Sequence, residues 1–452
     1  MTSTDRATER GGDRATARDT DGGDLLARHR AVLPNWQALY YDDPLEIVSG
    51  QGRRLTGGDG RTYLDFFAGI LSNSLGYGVP EITEAVRRQL DTGVVHTSTA
   101  YLGRAQVEYA ERVAELSGIP DAKVFFVNSG TEANEAALLL TTHARRSNQV
   151  LALRNSYHGR AFATVAITGN RSWGTSSLSP VHVSYVHGGY RYRSPFRHLS
   201  DADYIEACVD DLRDVILTTT AGDVACMITE PIQGVGGFAT PPDGLYGAMK
   251  QVLDEYGIHF VTDEVQTGWG RTGEHFWGYQ AHGVVPDVLT FAKGAAGGLA
   301  IGGVVARAEL MDGLNASSLS TFGGNPLTMA AANATLDYLL AHDLQANAAK
   351  LGAKLMSGLR ALADGTNIVG DVRGKGLMIG LELVEPGTDT PSPRAAGMVL
   401  AECRRGGLLV GKGGLHGNVI RIGPPLTLTE DEAEEGLAIA SDAIGRVYEA
   451  LV

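Results

Sequence analysis

The chain has 452 residues, 43% hydrophobic and 20% charged, with a formal net charge of −14. This is ordinary globular material with room for two or three structural units, and its acidic balance argues against a general nucleic-acid binder. Three widely spaced cysteines, Cys208, Cys226 and Cys403, form no CxxC pair, which fits a reduced, cytoplasmic protein without a disulfide framework, zinc site or other metal centre. No stretch of about 18 apolar residues suits a membrane span, and the start of the chain carries no apolar signal segment.

Residues 1–23, rich in Thr, Asp, Arg and Gly, read as a disordered tail. LLARHRAV (25–32) reads as a short helix stopped near Pro34. A hairpin follows, turning at Gly57-Gly58-Asp59-Gly60, with Tyr63, Leu64, Phe66 and Phe67 supplying strand character. Residues 68–78 are glycine-punctuated and read as irregular; Pro80–Leu90 and Arg104–Ser117 read as helices. Val124–Val127 reads as a buried strand, Asn128–Thr131 as a turn and Glu132–Arg146 as a helix. A strand–turn–helix start of this kind offers free N–H groups to an anion, or is plain N-capping by Ser129 or Thr131.

Apolar strands at 150–153, 225–233, 258–264, 284–292 and 302–306 alternate with helical stretches, which implies a mostly parallel sheet. One long helix is expected from about Asn325 to Asp343, and residues 368–384 and 417–432 read as strands of a separate small α+β unit. The expected organisation is an N-terminal segment of a small domain (24–95), a large domain (96–345) and the remainder of the small domain (346–452).

The chemistry concentrates in FVTDEVQTGWGRTG (260–273) and in Lys293 of DVLTFAKG. Asp263 and Lys293 each stand where an apolar strand stops, and open α/β sheets bind ligands outside the carboxyl ends of their strands. An acid facing a pyridine nitrogen and a lysine forming a Schiff base are what pyridoxal phosphate (PLP) requires, and desolvation would sharpen that lysine as a nucleophile. By themselves the two residues read more readily as an ion pair on the sheet rim.

Seven motifs occur in one order: SGTEANEAAL (129–138), YHGR (157–160), TEPIQGVGG (229–237), VTDEVQTGWGRTG (261–273), LTFAKG (289–294), STFGGNPL (320–327) and IRIGPPLTLTEDE (420–432). The set resembles the class III aminotransferases of PLP fold type I. Within them it is most similar to the alanine–glyoxylate aminotransferase 2-like branch, from about Asn35 to the end of the chain. The resemblance implies an α/β large domain with a mostly parallel, seven-stranded-type sheet flanked by helices, plus a small α+β domain. It implies a cytoplasmic homodimer, PLP as cofactor, and a small-molecule amino donor and carbonyl acceptor as partners.

It also implies roles for particular residues. Lys293 would be the Schiff-base lysine and the base that moves the substrate proton, and Asp263 would hold the pyridinium nitrogen. Val265 and Tyr157 would cover the two faces of the ring, Gln266 would bond the ring hydroxyl, and Glu230 would line the site. His158 would be a neighbour in the cofactor site or simply a structural hydrogen-bonder. Ser129, Gly130 and Thr131 would bind the phosphate, joined by Thr321 of the other subunit. Arg421 would pair with a substrate carboxylate, and Ile70 falls at a substrate-pocket position.

Three departures from the family pattern stand out: Val235 replaces a second acid, Gly297-Gly298-Leu299-Ala300 replaces Asn-Gly-Phe-Pro, and Gly76–Pro80 replaces Gly-His-x-His-Pro. The first removes an intramolecular partner for Arg421; the others touch pocket shape and entrance. The implied reaction is a ping-pong transfer from an α-amino acid donor, alanine or glutamate, to an oxo acid or aldehyde. A lyase or decarboxylase on the same scaffold is the alternative. A binding protein without catalysis is disfavoured by the retention of Lys293, Asp263, Gln266 and Thr321 together. A dinucleotide site at DVRGKGLMIG is disfavoured by its glycine spacing.

Overall fold

The computed structural model describes residues 22–37, 39–98, 100–174 and 178–452. The expected tail therefore lies outside the described residues, apart from Gly22 and Gly23, which open the helix Gly22–Val32. The centre of the molecule is a seven-stranded sheet. Its order is Ala122–Val127, Gly302–Arg307, Val288–Ala292, His259–Asp263, Cys226–Thr229, Gln149–Leu153 and His182–Val186. The last five are mutually parallel, and Gly302–Arg307 runs antiparallel to both of its neighbours.

Every residue of Cys226–Thr229 and Val288–Ala292 is buried, as expected of strands covered on both faces. Alternation divides their side chains between two helical layers. Met227 and Phe260 pack with Tyr204, Leu212, Leu245 and Met249 on one face. Ile228 and Val261 pack with Ala137, Leu138 and Val304 on the other.

A smaller antiparallel sheet, ordered Val369–Lys375, Met378–Leu383, Val419–Ile422 and Gly411–Gly413, packs with helices Leu344–Asp364 and Pro393–Gly406, against which Glu430–Leu451 lies in turn. A third sheet ties the two ends of the chain together. The strands Ile47–Gln51, Arg54–Gly57 and Thr62–Asp65 are extended by Leu408–Leu409, parallel to the last of them. Arg53 adds a bidentate ion pair to Glu432 at 2.7 and 3.0 Å. No helix among the described residues is long and apolar enough to cross a membrane.

Several elements differ from the sequence reading, each for a local reason. The strand expected over 225–233 stops at Thr229, because Pro231 and the glycines that follow make a tight loop closed by the Gln233–Ala239 bridge. The helix expected to end at Asp343 is Pro326–Ala341, and a further helix, Leu344–Asp364, starts at once. Asp343 turns the corner at φ +46°, without the glycine or proline that usually announces such a break. The irregular stretch after Phe67 contains a left-handed turn: Ala68, Gly69, Ile70 and Leu71 have φ of 47, 60, 63 and 64°. Left-handed backbone costs roughly 1–2 kcal/mol per non-glycine residue. Asp65 offsets this, its Oδ1 accepting the N–H groups of Phe67 and Ala68 at 2.8 and 3.1 Å.

Candidate active site

The carboxyl ends of Ala122–Val127, Cys226–Thr229, His259–Asp263 and Val288–Ala292 open on one cavity of about 330 Å³. Its walls include Ser129, Gly130, Thr131, Tyr157, His158, Glu230, Asp263, Val265, Gln266 and Lys293. Chain segments more than a hundred residues apart thus converge there.

Asp263 is the most heavily constrained of these groups. Its Oδ1 accepts the N–H of Val265 at 3.1 Å. Its Oδ2 accepts Nδ2 of Asn134 at 2.7 Å and lies 2.8 Å from Nδ1 of His158. Asn134 in turn donates to the His158 carbonyl at 2.8 Å and accepts the Thr290 hydroxyl at 2.7 Å. Thr290 is the ladder partner of Asp263 and stands three residues before Lys293. One amide therefore aligns the acid, the His158 loop and the strand that carries the lysine.

Lys293 follows its strand at φ +41°, a turn that swings it out of the ladder. Burial of the amine pulls its pKa down to about 8; the carboxylates of Asp263 and Glu230 work against that shift, and Arg421 works with it. Glu230 is buried, which raises its pKa, and its two oxygens accept the N–H groups of Tyr157 and Gly234 at 2.8 Å each.

The helix Gly130–Arg145 points its first turn at the opposite wall. Ser129 caps it, its hydroxyl accepting the N–H of Glu132 at 3.2 Å, which leaves Gly130 and Thr131 as free donors of the first turn. The backbone there must come close: a Cβ on Gly130 would lie 2.9 Å from Val265 Cγ2. Tyr157 stands edge-to-face against Trp173 at 5.5 Å.

The donor set fits PLP. Gln266 Oε1 and His158 Nε2 are buried with no hydrogen-bond partner, an arrangement that a polar ligand would relieve. Gly234 makes room for the Gln266 amide, since a Cβ there would lie 2.2 Å from its Nε2. A helix start for a phosphate, an acid for a ring nitrogen and a depressed lysine for an aldehyde surround a single cavity.

Three expected site residues do not form the cavity wall. Ile70 lies in the left-handed turn, 40% exposed, while Ser72 reaches the cavity two residues later. Thr321 is exposed. Arg421 is buried behind the cavity. Its Nη1 donates to the Gly234 carbonyl at 3.2 Å, and its Nη2 donates to the Lys412 carbonyl and the Tyr40 hydroxyl at 3.1 Å each. The rings of Phe67 and Phe238 lie 4.9 and 5.6 Å from its guanidinium carbon, and its Nε is buried without a partner.

Sequence reasoning missed Asn134, Ser72 and Tyr40. Asn134 had a signal: a polar side chain one turn after Gly130 on a helix otherwise rich in Ala and Leu. The substituted stretch after the lysine does reach the site, with Gly298, Leu299, Ala300 and Ile301 on the wall.

This fold, with its cavity at the strand ends, is that of the PLP fold type I enzymes. The chain belongs to the class III aminotransferases, whose family model matches residues 39–444. It is an aminotransferase of that PLP-dependent family. It is 39% identical to alanine–glyoxylate aminotransferase 2 homolog 2, mitochondrial, of Arabidopsis thaliana, over 91% of this chain and 85% of the relative. It is also 39% identical to acetylornithine aminotransferase of Mycolicibacterium smegmatis, over 91% of this chain and 95% of the relative. Among solved structures it resembles a phospholyase from Arthrobacter in complex with phosphoethanolamine, at a TM-score of 0.85 and 32% identity, covering 93% of this chain and 99% of that one.

Proposed function

We propose that this aminotransferase holds PLP in the strand-end cavity and takes its nitrogen from an α-amino acid, alanine or glutamate, for delivery to an oxo acid or aldehyde. The observation that carries the reading is the convergence of Lys293, Asp263, Gln266 and the Gly130 helix start on one cavity. When bound, PLP supplies the electron sink and carries the nitrogen between the two half-reactions. Lys293 Nζ, neutral in a useful fraction of molecules near pH 8, takes the proton from the donor's α-carbon. Asp263 would accept a hydrogen bond from the ring nitrogen and favour its protonated form. Gln266 would bond the ring hydroxyl, and Tyr157 and Val265 would cover the ring's faces.

Donor choice follows from Arg421. Its hydrogen-bond partners are all neutral, and Val235 cannot pair with it as a second acid would. A buried guanidinium with neutral partners favours a ligand carboxylate, since an uncompensated buried charge costs several kcal/mol. Single-turnover half-reactions are expected to run faster with alanine than with 4-aminobutyrate, and Arg421→Ala is expected to slow the alanine reaction. The reading fails if 4-aminobutyrate outruns alanine in the natural protein. The resemblance to a phospholyase keeps a lyase in view; release of phosphate from phosphoethanolamine without an oxo-acid acceptor would favour it.

We further infer a homodimer in which Thr321 reaches the phosphate end of the partner's site. Support comes from an apolar patch beside it. Leu319 and Phe322 are 64 and 59% exposed, and the Phe322 ring lies 4.7 Å from His96, on the segment that carries Tyr101 and Leu102 at 72 and 100% exposure. Sedimentation of dilute holoenzyme should give a dimer, and a fully active monomer would refute it. The compartment we infer is the cytoplasm, supported by three buried free cysteines; subcellular fractionation is the check, since the Arabidopsis relative is by name mitochondrial.

A further inference from the structure

The motif DVRGKGLMIGLELV lies far along the chain from the cofactor residues, yet its Arg373 reaches the bed on which Arg421 rests. That bed is the tight loop Gly234–Phe238. The Gly234 carbonyl accepts the N–H groups of Gly237 and Phe238 at 3.2 and 3.4 Å, as well as Nη1 of Arg421 at 3.2 Å. The Phe238 ring lies 5.6 Å from the same guanidinium. The near side of the loop therefore sets where Arg421 sits.

A second arginine grips the far side. Nε and Nη2 of Arg373 both donate to the Gly237 carbonyl, at 3.1 and 2.9 Å. Gly237 adopts φ +93°, and a Cβ on it would lie 2.8 Å from Val419 Cγ2. A Cβ on Gly380 would lie 2.6 Å from the Gly237 oxygen, so the loop is pressed directly onto the strand Met378–Leu383.

Arg373 is itself anchored. Its Nη1 donates to Asp371 and Glu382 at 2.8 Å each. Glu382 is fully buried and also accepts the Tyr190 hydroxyl at 2.5 Å, Nε of Arg193 at 2.7 Å and Nδ2 of Asn418 at 3.3 Å. The small antiparallel sheet and the segment 190–193 are thereby joined through one carboxylate, and the guanidinium aimed by that carboxylate fixes the loop.

We propose that Arg373 is a positioning residue for recognition of the substrate carboxylate: by forking onto the Gly237 carbonyl it holds the loop that aims Arg421, and Glu382 keeps Arg373 aimed. The proposal rests on Arg421 as the carboxylate anchor. An ion pair serving stability alone would, when altered, affect all donors equally. A positioning role predicts a selective loss for donors that carry a carboxylate.

Two variants separate these cases in the holoenzyme. Arg373→Lys keeps the charge but cannot fork onto one oxygen. Arg373→Gln with Glu382→Gln exchanges their ion pair for an amide pair, while Arg193 and Asp371 each lose one ionic partner. Single-turnover half-reactions are run with alanine and with alaninamide, which has the same skeleton but no carboxylate. In both variants the half-saturating alanine concentration is expected to rise about tenfold, within the range that indirect couplings reach. The limiting rate, the alaninamide curve and the visible cofactor spectrum should stay near those of the natural protein. Equal losses for both donors overturn the proposal. Normal alanine binding in the Arg373 variants, while Arg421→Lys weakens it, overturns the proposal and leaves the Arg421 reading standing. Normal alanine binding in Arg421→Lys removes both. If the double variant does not fold, Arg373→Lys alone decides.

Discussion

Lys293→Ala abolishes turnover, by at least about 10⁴-fold, because one amine serves as both covalent attachment point and proton carrier. The expected result has a second part, read in a spectrophotometer: purified variant mixed with PLP lacks the visible band of cofactor bonded to a protein lysine. Lys293 combines a cavity position at a strand end with an amine whose pKa burial has lowered to about 8. A variant that keeps both the band and measurable turnover would mean that another lysine does the work.

Asp263→Asn is expected to cut turnover about 10²- to 10³-fold, the scale on which losing one preorganised electrostatic group operates. Its effect should also be visible in pH dependence, with a definite sign. Lys293 has a folded pKa depressed from 10.5 to about 8, so its neutral fraction rises as pH rises through that value. Cofactor capture by the apoprotein, which needs the neutral amine, should therefore accelerate between about pH 7 and 9 and level off above. The Asp263 charge opposes the depression. Removing it should move the acceleration to lower pH in the variant. An unchanged or upward-moved midpoint would show that the carboxylate does not act on the amine.

The parts of this site that were legible in the sequence are those written in local grammar. Asp263 and Lys293 could be placed because each interrupts an apolar run, and a strand that ends in a charged residue presents it at the sheet's edge. The Gly130 helix start could be placed because Ser129 and Gly130 stand between a strand and an Ala-rich helix. The large sheet followed from the alternation of strand and helix, yet His182–Val186 escaped notice because its alternating His, Val and Ser resemble a polar loop. What could not be read is long-range convergence. Arg421 and Tyr40 are 381 residues apart and meet through a single hydrogen bond. Nothing near Asn134 announces that its amide ends beside Asp263, 129 positions away. The left-handed turn at 68–71 runs against the preferences of three of its four residues, and the Asp65 carboxylate that helps to hold it gives no local sign of doing so.

The antiparallel strand Gly302–Arg307 has a consequence for how the enzyme is born. Ala122–Val127, which leads into the helix start at Gly130, touches no strand of the sheet other than this one. The lysine's strand, Val288–Ala292, borders it on the other side. Gly302 pairs with Val127 and Ala292 at once, closing the gap between them like the last stave of a barrel. A nascent chain that has not yet delivered residues 302–307 has no ladder linking its phosphate-facing end to its amine. Within the sheet the two are joined only through this strand, although Asn134 of the helix also bonds Thr290 of the lysine's strand at 2.7 Å. The phosphate-facing helix start and the amine are therefore held in register by one shared strand that belongs to neither of them.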